Sequence, residues 1–91
     1  QKIDLIDSQI IELLAQRALC VQDATRFKKD AFQVAAPARQ AQVFERVKSQ
    51  AEAHLENFPN FPDIVETTYR TLVAGFIASE QLLFQKTEII K

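Results

Sequence analysis

Methionine and tryptophan are absent from these 91 residues, and glycine, cysteine and histidine occur once each. One glycine and three prolines are too few turn residues for a sheet protein. With Gly75 the sole glycine, the chain also has no glycine-rich phosphate loop. Cys20 has no second cysteine to pair with and no evident base near it, so it reads as a small core residue rather than a nucleophile. His54 has no carboxylate or histidine at metal-ligand spacing and reads as a surface or half-buried residue. No metal and no cofactor are therefore expected. No apolar run is long enough to cross a membrane. The net charge of −1 lacks the basic excess of a general nucleic-acid binder, so neither membrane nor nucleic acid is expected as a partner.

What is present is helical. Hydrophobic residues make up 47% of the chain and charged residues 25%, a balance that suits one folded domain over residues 1–91. The absence of Gly and Pro predicts a first helix from the start to about Asp30. Its acids (Asp4, Asp7, Glu12) lie early and its bases (Arg26, Lys28, Lys29) late, which complements the helix dipole. Pro37 closes a connection over Ala31–Pro37, and a second helix is expected over Ala38–Glu56. The Asn57-Phe58-Pro59-Asn60-Phe61-Pro62 break precedes a third helix over Pro62–Ile89. The apolar positions of the third helix spread over more than one face, which predicts burial on several sides. Its small residues (Ala74, Gly75, Ala78, Ser79) would let another helix come close.

The first helix carries a seam: Ile3, Ile6, Ile10, Leu13, Arg17, Cys20, Ala24, Phe27. The alternating steps of three and four mark a helix packed on other helices, and one member is a guanidinium. An unpaired charge there costs several kcal/mol, so Arg17 calls for an anionic partner or a wet cavity. Lys28, eleven residues on, returns to nearly the same direction roughly 16 Å along the helix. Arg39 follows Pro37 where free N–H groups and the helix dipole also favour anions. Gln81 sits among Ile77, Leu82 and Phe84 and needs partners of its own, either in the core or on a ligand. A helix of about 30 residues is about 45 Å long, too long for a compact 91-residue globule with a radius of gyration near ~12 Å. The expectation is an intertwined homodimer in which the first helices pack together. Because the seam is already running at Ile3, the first helix is expected to begin before Gln1. The expected compartment is the cytoplasm, with any export signal lying upstream.

The residues then match a pattern. Ile3-Asp4-x-Ile6-Asp7, Leu13-Leu14-Ala15-Gln16-Arg17, Arg26-Phe27-Lys28-Lys29, Ala36-Pro37-Ala38-Arg39-Gln40 and Ala78-Ser79-Glu80-Gln81 follow in an order and spacing that resembles the all-α chorismate mutases and their relative, isochorismate–pyruvate lyase. The resemblance implies a homodimer of three-helix protomers with sites enclosed mostly by helices. It implies that Arg17 binds a substrate carboxylate. Lys28 would bind a carboxylate and the ether oxygen of the breaking bond, and Gln81 would donate to that same oxygen. Arg39 would support the far end, Gln40 would contact the ring hydroxyl, and Ile77 would line the pocket. A further arginine reaching into the partner's site is implied at the position immediately before Gln1. Gln40 is mutase-like, whereas the Ala31–Pro37 connection has the length of the lyase. A pericyclic rearrangement of chorismate to prephenate needs only positioning and charge stabilisation, which cations and an amide can supply. The alternatives are the lyase reaction and a non-catalytic helical dimerisation module.

Overall fold

The computed structural model describes residues 1–25, 36–54 and 58–90, with side chains over 1–24, 36–54 and 58–82. The described residues form three helices, α1 (Lys2–Thr25), α2 (Pro37–Glu52) and α3 (Phe61–Ile90), and no strand. The all-α expectation holds. The expected end of the first helix near Asp30 lies outside the described residues.

Each helix end has a local cause. Leu5 donates its N–H to the Gln1 carbonyl at 3.1 Å, so α1 winds from the first residues. Pro37 opens α2 where its missing N–H costs nothing. The residue before it, Ala36, is left-handed (φ 42°, ψ 63°) and offers no side-chain cap. A non-glycine residue there carries strain of about 1–2 kcal/mol. At the other end α2 stops at Glu52, four residues earlier than the sequence suggests. Ala53 and His54 donate to Gln50 and Ala51 at 3.3 and 2.9 Å, three residues back, and this tighter turn uses up the final carbonyls. His54 is exposed and sits edge-on to the Phe61 ring, with centroids 6.0 Å apart. In α3, Ile64 donates to the Asn60 carbonyl at 3.1 Å, and Pro62 falls within the first turn as expected.

The core is the contact of α2 with α3. Val43, Phe44, Val47 and Val73 form one buried cluster, against which Val65, Tyr69 and Ile77 pack. Val43, Val47 and Ala51 follow at intervals of four, which puts them on one stripe of α2. The two helices run antiparallel, because Phe44 meets Arg70 while Lys48, further along α2, meets Glu66, further back on α3.

Three expectations are corrected within this single chain. The third helix is not buried on several sides, since Ile64 and Leu82 are 48% and 60% exposed. Among the described residues, nothing outside the local backbone of α3 lies within 4 Å of a Cβ built on Gly75, so its small size serves no close approach within this chain. Cys20 is exposed rather than in a core. All three share a reason: α1 touches the other helices along a narrow strip, and one chain has too little surface to cover three long helices. The radius of gyration is 15.6 Å and the extents are 52 × 31 × 16 Å, well beyond a compact globule of this length.

Candidate active site

Where α1 crosses the α2–α3 pair, a cavity of about 380 Å³ opens among all three helices. Arg17, Cys20, Val21 and Ala24 face it from α1. Ala36 and then Arg39, Gln40, Val43 and Arg46 of α2 form a second wall, and Val73, Phe76, Ile77 and Glu80 of α3 form a third. These spacings of three and four are the helical stripe at work: each helix turns one face inward, and the buried Val43 and Val73 form the floor.

Arg17 is half-buried, and its position answers the question the seam raised. It makes no ion pair among the described residues. Its guanidinium instead lies 5.9 Å from the centroid of Tyr69 and 5.4 Å from that of Phe76, while its charged end looks into the cavity. Aromatic faces offset part of the desolvation of a cation, by about 0.5–2 kcal/mol, without neutralising it. The charge remains available.

Arg39 stands in the first turn of α2, exposed at the cavity wall. Gln40 is half-buried beside it, and its backbone N–H donates to the Ala36 carbonyl at 3.0 Å. Ile77 belongs to both the cavity wall and the rim of the core. Four of the six site residues expected from the sequence therefore meet at one cavity: Arg17, Arg39, Gln40 and Ile77. Gln81 does not line it. That residue is half-buried one turn beyond Ile77, next to the 60% exposed Leu82, and the side chain of its other expected neighbour, Phe84, lies outside the described residues. Lys28 lies outside the described residues.

Two wall residues are new. Arg46 follows Arg39 by seven residues, a spacing that returns to the same face of α2. Glu80 is buried, 9% exposed, and follows Val73 by seven. Both signals were present in the sequence as heptad spacings, but neither residue could be told from a solvated one without the helix register. Three arginines against one glutamate give the described walls a formal surplus of two positive charges. Among the described residues no cluster of His, Cys, Asp or Glu could hold a metal ion.

Fold and cavity together define an all-helical protein whose three helices enclose one cavity, with cations facing it from α1 and α2. The chain belongs to the chorismate mutase type II family, whose model matches residues 1–81. The reaction of that family is an isomerisation in aromatic amino acid biosynthesis, the rearrangement of chorismate to prephenate. Comparison with curated proteins and with solved structures gives no match. No helix among the described residues is long and apolar enough to cross a membrane.

Proposed function

We infer that residues 1–91 act as one helical unit that binds chorismate in this cavity and rearranges it as a homodimer. The observation that carries this reading is the convergence of Arg17, Arg39, Gln40 and Ile77, from three separate helices, on one cavity. Chorismate is a cyclic dianion, and its rearrangement breaks a C–O bond while a C–C bond forms in the same step. No proton needs to move. The enzyme's work is to hold a chair-like conformer and to stabilise negative charge growing on the ether oxygen.

Arg17 binds one carboxylate, and stacking between Tyr69 and Phe76 fixes the direction of its guanidinium. Arg39 supports the opposite end of the substrate. Gln40 meets the ring hydroxyl, and Ile77 supplies an apolar wall that excludes water from the reacting carbons. The family resemblance assigns the ether oxygen to Lys28 and Gln81.

The homodimer is supported by what α1 leaves open. Ile3, Ile6, Ile10 and Leu13, its seam, are between 48% and 62% exposed, and Leu5, Ile11 and Leu19 are more than 60% exposed. Burying one such side chain is worth about 1.5–3 kcal/mol, so this face drives association strongly. The seam's regular spacing suits the same face of a second copy.

The test is turnover. Incubated separately with chorismate and isochorismate, the protein should consume the first and form prephenate. Consumption of isochorismate with release of pyruvate would reassign it as a lyase, and consumption of neither by the full-length protein would leave a dimerisation module. Arg17→Ala should lower kcat/KM by at least about a hundredfold, the scale of a lost charge-assisted contact to a substrate anion, while circular dichroism still shows the helices. Loss of the helical signal instead would assign Arg17 to structure.

A further inference from the structure

The cations of the α2–α3 pair fall into two groups. On the outer side they are engaged: Lys48 lies 3.3 Å from Glu66 and 3.7 Å from Asp63, and Arg70 donates to Glu66 at 2.9 Å while its guanidinium covers Phe44 at 4.5 Å. On the inner side Arg39 and Arg46 face the cavity, and neither makes an ion pair or side-chain hydrogen bond among the described residues.

The helix register says where Arg46 points. The Phe44–Arg70 and Lys48–Glu66 contacts bracket it in sequence, so its Cα stands level with the stretch of α3 around residues 66–70. Helical side chains lean toward their own N-terminus, which carries its guanidinium toward the level of Val43 and Val73. Arg17 occupies that same stretch from α1, between Tyr69 and Phe76. Arg39 lies about 10 Å further along α2, at the Ile77 end. Two like charges that line one small cavity repel each other unless an anion lies between them.

We propose that Arg46 is a second cation at the substrate carboxylate held by Arg17, and that it sets the affinity for the dianion. This rests on the role given to Arg17 above. A contact to a carboxylate that stays charged throughout the reaction is made equally in the ground state and the transition state, so it acts on KM and not on kcat. The experiment compares Arg46→Gln, Arg46→Lys and Arg17→Ala in steady-state assays with chorismate at low and raised salt. Arg46→Gln should raise KM about tenfold, with kcat within about threefold of the parent and a shallower salt dependence of KM. Arg46→Lys, which keeps the charge, should recover part of the loss. An unchanged KM in Arg46→Gln, or a loss confined to kcat, overturns the proposal. If Arg17→Ala keeps full activity, the reading of the whole site fails. If Arg17→Ala is inactive and Arg46→Gln is unaltered, only the role of Arg46 fails.

Discussion

The α2–α3 pair and α1 both carry apolar stripes and end up in opposite states. The pair buries Val43, Phe44, Val47, Ala51 and Val73 between two antiparallel helices, and its outer charges pair across the same joint. In α1 every isoleucine stays about half exposed or more. The pair is held by contacts within one chain, whereas α1 is helical over 24 residues with little to pack on. Isolated helices are marginal in water even at favourable lengths. The difference teaches that the sequence codes for two kinds of surface, one covered within the chain and one left exposed, which is the face the proposed second copy would cover.

The strongest way to break that comparison is Ile10→Asp. A carboxylate in the seam should split the proposed dimer and cost several kcal/mol of apparent stability, read by sedimentation and by melts at several protein concentrations. An unchanged sedimentation coefficient would mean that the exposed seam builds no interface. Phe44→Ala attacks the other region. It removes the largest buried side chain of the pair and should cost about 3–5 kcal/mol in chemical denaturation. The loss should be similar at all protein concentrations if the pair is intrinsic to the protomer.

Gly75→Ala is a smaller and sharper test. With nothing within 4 Å of the added Cβ, a lone protomer should gain about 0.5–1 kcal/mol from better helix propensity. A loss would show another surface packed against that spot in the assembly, which thermal melts can detect. The weakest effect belongs to the outer charges. Hydrogen bonds from Arg70 and Lys48 hold the Glu66 carboxyl below its ordinary value of 4.5, and the hydrogen bond to Glu66 raises Lys48 above 10.5. Glu66 therefore contributes stability that is present above pH ~4.5 and fades as acid protonates it; Lys48 contributes below pH ~10.5 and fades as base removes its proton. In Glu66→Gln both limbs of the melting-temperature profile should flatten slightly, and added salt should blunt the difference.

Most of the fold was legible because helices announce themselves through spacing. Pro37 and Pro62 fall within the first turns they were expected to open, and the seam of α1 is visible as a run of threes and fours. The end of α2 was misjudged, since a polar, alanine-rich stretch carries no stop signal in the sequence. In the site, Arg17 stood out as a charge among hydrophobes, Arg39 followed from a helix start, and Gln40 came only from the resemblance to the mutases. Arg46 and Glu80 did not stand out. Whether an arginine on an amphipathic helix faces water or a cavity depends on the register of the helix opposite, which Phe44, Arg70, Lys48 and Glu66 decide together. The stack of Arg17 on two aromatic rings was hidden for the same reason, because Tyr69 and Phe76 belong to another helix.

Ala36 limits how this chain can change. Its left-handed backbone lies at the threshold of α2, three and four residues ahead of Arg39 and Gln40. Glycine would fit there without strain, and asparagine nearly so. Valine or isoleucine would be forced out of that conformation and would swing the first turn of α2, and both polar groups with it, away from the cavity. A residue with a single methyl group and no chemistry thus narrows the set of sequences in which the second wall of the site can stand.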